Sequence, residues 1–322
     1  MQLRQLEYLV ALAREQHFAR AAAACWVSQP TLSDGIRTLE AELGVAIVRR
    51  GQRYQGLTPE GERLLDFARR LLHERDELLR DLGPRSQGLS GRLRIGAIPT
   101  SLPPLPLVTT PFRQRHPAVD LTILSLSSAE IDRQLKTFDL DAGLTYLDGD
   151  PLGHVRKLTL YEERYLLLAS EDVMSDDREA ISWAEAADLP LCLLTCDMQN
   201  RRIVDRLFRA AGAVASPRIE TNSISTLLSH VRSGRCASVV PQTWLQPFGI
   251  PQGTRVVPFA GAESASRIGL VWLDSDPEPL LTRAFLEVSR RLDLQPTLDS
   301  MMIGESRQTD APRVRSTRAR SK

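Results

Sequence analysis

Apolar positions at the start of the chain recur at helical spacing. Leu3, Leu6, Leu9, Val10 and Ala13 predict an amphipathic first helix. Phe18-Ala19-Arg20-Ala21-Ala22-Ala23-Ala24 is a short second helix of strong formers. After Cys25-Trp26-Val27, Ser28 is placed to cap a third helix and Pro30 suits its first turn. Leu32, Ile36, Leu39 and Leu43 line one face of that helix, and Gly44 stops it. Val45 to Arg50 and Tyr54 to Leu57, joined through Gly51-Gln52-Arg53, predict a small two-stranded hairpin. Three helices and a basic hairpin are the order of a winged helix-turn-helix, assigned to residues 1–57.

Thr58-Pro59-Glu60 opens a longer helix with a cap and a favoured first-turn proline. Leu64, Leu71 and Leu78 fall seven apart, and so do Leu65, Leu72 and Leu79. A helix over 58–84 spans about 40 Å. A leucine seam of that length on a charged helix calls for a partner, so 58–84 is read as a linker and dimerisation helix. Packing on its own chain is the competing reading. Turn formers from Gly83 to Gly91 then break the pattern, with a hinge at 85–91.

From 92 to 296, short apolar runs alternate with helical patterns. Leu93 to Ile98, Val119 to Ile123 and Leu140 to Thr145 predict strands, as do Leu189 to Leu194, Arg218 to Thr221, Ala237 to Val240 and Ile268 to Trp272. Helical stretches such as Arg201–Ala211 and Ser225–Arg232 lie between them. Alternation of this kind implies open, parallel-rich α/β sheets whose ligands sit beyond the carboxyl ends of strands. Residues 297–322 lack periodicity; from Arg307 on they carry six basic residues against Asp310, and are expected to form a disordered basic tail.

The N-terminal residues follow a family in register. Leu3-Arg4-Gln5-Leu6, Phe18-Ala19-Arg20-Ala21-Ala22, Val27-Ser28-Gln29-Pro30-Thr31-Leu32-Ser33, Ile36, Leu39-Glu40, Glu42-Leu43-Gly44 and Leu57-Thr58-Pro59-Glu60-Gly61 resemble the DNA-binding domain of LysR-type transcriptional regulators. The match is close over the first sixty or so residues; beyond them it is one of organisation. The resemblance implies that 92–296 is a two-lobed, periplasmic-binding-protein-like α/β effector domain. It also implies a homodimer or a tetramer of paired dimers, with RNA polymerase as a further candidate partner.

A helix that reads base edges needs short or amide side chains near its N-terminus and backbone donors for phosphate. Gln29, Thr31 and Ser33 supply them, with Ser28 and Pro30 beside them at the DNA-binding end: an amide can read adenine, and the threonine methyl can meet that of thymine. Arg37, and Arg50 and Arg53 in the wing, are placed for phosphate. The family usually carries long polar or basic residues where this chain has Asp34 and Gly35. Asp34 is repelled by phosphate unless it accepts from a cytosine amino group. The sequence therefore leaves open which bases are read.

Polar residues at strand ends and helix starts are the effector-site candidates: Thr100, Ser101, Ser128 and Thr145, with Thr195 and Asn222 in the other lobe. Hydroxyls, amides and helix N-terminal N–H groups suit a small anion such as a carboxylate from an organic acid, held between the lobes. Arg201 and Arg202 are expected at the surface.

Composition narrows the field further. The 41 Lys and Arg against 40 Asp and Glu leave a net charge of +1, which excludes a uniformly basic nucleic-acid coat. Residues 1–57 nonetheless hold seven Arg against five acids. No run of 18 apolar residues occurs, and the polar start lacks the apolar core of a signal peptide, so a cytoplasmic protein without a membrane segment is expected. Cys25, Cys192, Cys196 and Cys236 lack metal-site spacing and are expected as buried thiols. No nucleophile elbow, zinc-protease, Walker or dinucleotide motif is present, and the five histidines are scattered, so no enzyme, cofactor or metal is expected. The alternative reading is a cytoplasmic small-molecule binding protein whose DNA module has lost specific operator binding.

Overall fold

The computed structural model describes residues 1–49, 54–82, 88–148, 153, 155–175, 178–245, 249–261 and 265–303. They fall into two compact units: Met1–Thr159 with Ile268–Leu292, and Leu160–Arg267 with the chain from Asp293 on.

The first unit opens with α1 (Leu3–Glu15), α2 (Phe18–Ala24) and α3 (Gln29–Leu43). Leu6, Leu9 and Leu12 of α1 pack with Leu32, Ile36 and Leu39 of α3, as helical spacing demands, while Leu43 stays exposed. The wing is slighter than expected: Val48 and Leu57 form an isolated antiparallel bridge. Thr58 N donates to Ile47 O (2.9 Å) and Arg49 N to Gly56 O (3.1 Å), and these two bonds make the bridge. Glu40 Oε1 accepts from the backbone N–H groups of Ile47 and Val48 (2.7 and 3.0 Å), so the ladder does not continue through the Ile47 N–H. Arg50 and Arg53 lie outside the described residues.

The linker helix α4 (Pro59–Asp81) starts where Thr58 Oγ1 accepts from Gly61 N (3.0 Å). A Cβ on Gly61 would meet Ile47 O at 2.2 Å, so only glycine lets α4 approach the wing this closely. The two leucine rows part company. Leu65 is buried with Ala68 in the core of α1–α3, and Leu64 and Leu72 pack against that core. Leu71, Leu78 and Leu79 stay exposed, together with Phe67 and Leu82. The expectation that both rows serve a partner is therefore corrected for Leu65, which its own chain buries; Leu64 and Leu72 are partly covered by it. Residues 83–87 of the expected hinge region lie outside the described residues.

The rest of this unit is a mixed sheet in the order β2-β1-β3-β9. Here β1 is Gly91–Ala97, β2 is Val119–Ser125, β3 is Ala142–Tyr146 and β9 is Ala265–Leu273. β1 pairs in parallel with β2 and β3; β9 runs antiparallel to β3. Helices α5 (Pro106–Arg115) and α6 (Ser128–Lys136) follow β1 and β2, and a helix Leu280–Ser289 packs on α5 through Phe285 and Phe112 (ring centroids 5.2 Å apart).

The second unit is built on β4 (Val155–Ser170) from Leu160 on, a strand the sequence reading misses. It pairs antiparallel with both β7 (Ala237–Pro241) and β8 (Thr254–Pro258). The parallel-rich expectation is corrected here. Parallel pairing is kept by β5 (Cys192–Leu194) with β6 (Ile219–Thr221), and by the Leu191–Ala237 bridge. Helices α7 (Trp183–Ala187), α8 (Gln199–Ala210) and α9 (Ile224–Arg232) complete this unit. A further helix, Gln295–Ile303, occupies the start of what was expected to be tail, with Leu298 fully buried. Residues 304–322 lie outside the described residues.

Candidate DNA-binding face and effector site

Ser28 caps α3: its Oγ accepts from Thr31 N (3.3 Å) and lies 2.8 Å from Thr31 Oγ1. Gln29, Pro30, Thr31, Asp34 and Arg37 are exposed beside it, and Ser33 is half-buried. The inward positions Leu32, Ile36 and Leu39 leave this polar row on the opposite face. Asp34 faces Arg37 across one turn (3.4 Å), with both side chains at least 70% exposed. Such a pair is worth at most about 1 kcal/mol and is open to exchange for another partner. Gly35 has a structural cause: a Cβ there would lie 2.7 Å from the ring of buried Tyr8.

In the first unit, a short helical turn, Pro99–Ser101, follows β1 and buries both Thr100 and Ser101. Because β1 and β3 are parallel neighbours, Thr100 meets the end of β3, where its Oγ1 is 3.3 Å from the hydroxyl of Tyr146. Thr145, fully buried, donates to Ser128 Oγ (2.9 Å). Hydroxyls thus pair as Thr100 with Tyr146 and as Thr145 with Ser128, at two strand ends and one helix start; Tyr146 has no motif signal and is found only through the register. The cap of α6 is Ser127, one residue before Ser128. Ser127 Oγ accepts from Glu130 N, and the Glu130 carboxylate accepts from Ser127 N (2.8 Å). The Ser127 N–H and hydroxyl, both donating to the carboxylate, hold the Glu130 carboxyl below its ordinary value, so a negative charge already sits at this helix start.

In the second unit, Thr195 follows β5, and its Oγ1 is buried without a hydrogen-bond partner. Asn222 is exposed just ahead of Ser223, which caps α9. Arg201 corrects the expectation of surface exposure. It is buried and bonded to Asp205 Oδ1 (2.8 Å), Leu194 O (2.8 Å) and Glu220. Burial opposes its charge, but the two carboxylates outweigh that and hold the guanidinium above its ordinary value.

The thiols also divide. Cys192 and Cys236 are buried free thiols that interact with each other; burial, reinforced by Cys236, pushes Cys192 up to about 12, and burial raises Cys236. Cys25 is partly buried, and Cys196 is exposed, which corrects the expectation of four buried thiols. Among the described residues no cluster of three or more His, Cys, Asp or Glu is placed to hold a metal ion, and no helix is long and apolar enough to cross a membrane.

The bacterial regulatory helix-turn-helix model of the lysR family matches residues 3–62, and the LysR substrate binding domain model matches residues 86–293. OxyR of Escherichia coli K12, a DNA-binding transcriptional dual regulator, is 33% identical over 278 residues, covering 86% of this chain and 91% of its own. A hydrogen peroxide-inducible genes activator of Haemophilus influenzae is 29% identical over 287 residues, covering 86% and 92%. Among solved structures, a full-length OxyR cysteine-to-aspartate variant from Pseudomonas aeruginosa superposes with a TM-score of 0.73 at 29% identity, covering 90% and 98%. CbnR complexed with its target DNA shares the fold, with a TM-score of 0.67 at 22% identity and 90% and 99% covered. The chain belongs to the LysR family of transcriptional regulators, which join a DNA-binding helix-turn-helix to an effector-binding domain and are not enzymes.

Proposed function

We propose that this regulator docks the N-terminal end of α3 into the major groove of promoter DNA. Ser28, Gln29, Pro30, Thr31 and Ser33 face the bases, and Asp34 accepts from cytosine or stays with Arg37. Arg37, Arg50 and Arg53 meet phosphates. The observation that carries this reading is the exposed polar row of α3, held in place by the Ser28 cap and by the burial of Leu32, Ile36 and Leu39. Two copies associate through the exposed stripe of α4 at Leu71, Leu78 and Leu79, extended by Phe67 and Leu82; a tetramer follows if such dimers pair. The protein works in the cytoplasm, where its promoter is.

The effector is a small hydrogen-bonding molecule that binds at the hydroxyls of Thr100, Ser101, Ser128 and Thr145, with Thr195 and Asn222 as the second unit's own candidates. A carboxylate-bearing organic acid is supported by the donor hydroxyls and opposed by Glu130 and by the commitment of Arg201 to its own carboxylates. Effector binding shifts the population of DNA-bound states, and with it bend and occupancy. The second reading, response to peroxide through Cys196, is favoured by the exposure of that thiol and by relatives named as hydrogen peroxide-inducible activators.

Mobility-shift titration against DNA from upstream of its own gene, with unrelated duplex as competitor, tests the first step. A competitor-resistant shift lost on Gln29→Ala supports it. Calorimetry with a panel of small organic acids then tests the effector. Heat that disappears in Thr100→Val supports the acid; no heat, with a shift that responds to peroxide and not in Cys196→Ser, supports the thiol.

A further inference from the structure

Trp26 stands at the turn between α2 and α3, and among the described residues its indole is left in solvent. The end of α2 is a six-to-one cap: Val27 N donates to Ala22 O (3.0 Å) and Trp26 N to Ala23 O (3.1 Å). That arrangement puts Trp26 in the left-handed region (φ 57), a position normally filled by glycine because L side chains rarely adopt it. On either side Cys25 and Val27 turn toward the core of α1–α3, while Trp26 is left 93% exposed. A large apolar ring is thereby held in water on a backbone that disfavours any side chain. It lies two residues before Ser28, the cap of the helix proposed to enter the groove.

We infer that Trp26 is a DNA-contacting residue whose indole lies on the sugar–phosphate backbone at the rim of the groove entered by α3. The inference rests on the docking of α3 proposed above. In a helix-turn-helix the second helix inserts N-terminal end first, and the element before it crosses the backbone, so the turn between them faces sugar and phosphate rather than bases. An indole matches that surface. Its faces pack on the apolar side of deoxyribose, and its Nε1–H, a donor only, suits a phosphate oxygen. Such a contact adds affinity without reading sequence.

The other three tryptophans, Trp183, Trp244 and Trp272, are at most 9% exposed, so collisional quenching of intrinsic fluorescence reports on Trp26. The experiment titrates the full chain with duplex DNA from upstream of its own gene while acrylamide access is followed. Access is expected to fall in step with the mobility shift. Trp26→Gly, which suits the left-handed backbone, should melt no lower than the parent yet bind about tenfold more weakly. Its dependence on salt should be unchanged, because a neutral indole releases no counterion. Trp26→Phe, keeping the ring and losing the donor, should fall between. A complex in which Trp26 stays open to quencher, or a Trp26→Gly chain that binds with parental affinity, overturns the inference and leaves α3 docking intact. Protection that follows protein concentration without DNA assigns the residue to a second copy and likewise overturns it. A folded chain that shifts no duplex overturns the docking and this inference together.

Discussion

The missing side chain at Gly35 is filled by the ring of Tyr8, whose Cδ2 would lie 2.7 Å from any Cβ placed there. A glycine inside a helix ordinarily costs about 1 kcal/mol against alanine. Here the close approach of α1 to α3 reverses that balance. Gly35→Ala is expected to lower stability by about 1–3 kcal/mol, as overpacking does. In a Tyr8→Ala background the same change should be neutral or stabilising, because the ring is gone and helix propensity remains. Chemical denaturation of the four variants decides it; equal effects in both backgrounds would detach Gly35 from Tyr8.

The packed and the exposed leucines of α4 should respond oppositely to truncation. Leu65, buried against α1–α3, is expected to lose about 2–5 kcal/mol as Leu65→Ala. Leu78→Ala removes a side chain that is 57% exposed and should leave the melting of an isolated protomer within about 0.5 kcal/mol. Its effect should appear instead in self-association, measured by sedimentation, with Phe67 and Leu71 variants behaving alike. Unchanged association across the exposed stripe would refute its role as an interface.

The helices of the N-terminal module were legible because each carries both a periodic apolar face and an end signal: Ser28 before α3, Gly44 after it, Thr58 before α4. The wing was over-read because its apolar residues say nothing about Glu40, which takes the N–H groups of Ile47 and Val48 from seven and eight residues away. β4 was missed for a different reason. Arg156, Lys157, Glu162, Glu163 and Arg164 interrupt its apolar residues, and only the stretch from Tyr165 to Ser170 is uniformly buried. Of the effector candidates, Thr100 and Thr145 come from strand ends that alternation predicts. Tyr146 becomes a partner of Thr100 only through the parallel register of β1 with β3, which no local pattern encodes.

Thiol chemistry should follow burial. A thiolate is the nucleophile, so Cys192, pushed up to about 12, and buried Cys236 are poor targets for oxidants and alkylating reagents in the native chain. Exposed Cys196 should react first under native conditions, Cys25 later, and the buried two only on unfolding. Mass spectrometry of timed alkylation checks the order. The sign of the accompanying pH effect is fixed. Above the ordinary thiol value of 9.0 the unfolded chain releases the Cys192 proton while the folded chain keeps it, so stability falls as pH rises from there toward about 12. Cys192→Ser should flatten that alkaline loss.

The carboxylate at the start of α6 bears on both stability and the effector. Glu130 is held below its ordinary value by Ser127, through the backbone N–H first and the hydroxyl second. A carboxyl lowered on folding contributes stability above its unfolded value of 4.5 and loses it as pH falls through the folded one. Glu130→Gln should therefore weaken α6 near neutral pH, with the difference from the parent closing in acid, as hydrogen exchange of the α6 amides would show. Ser127→Ala should cost about 1 kcal/mol by removing the cap itself. The same charge opposes a carboxylate approaching Ser128 and Thr145. If the effector is an organic acid, Glu130→Gln should tighten its binding even as the helix loosens, and Glu130→Asp should not. Tighter binding with a weaker helix cannot come from general damage, so calorimetry on this pair of variants separates a charged effector from a neutral one.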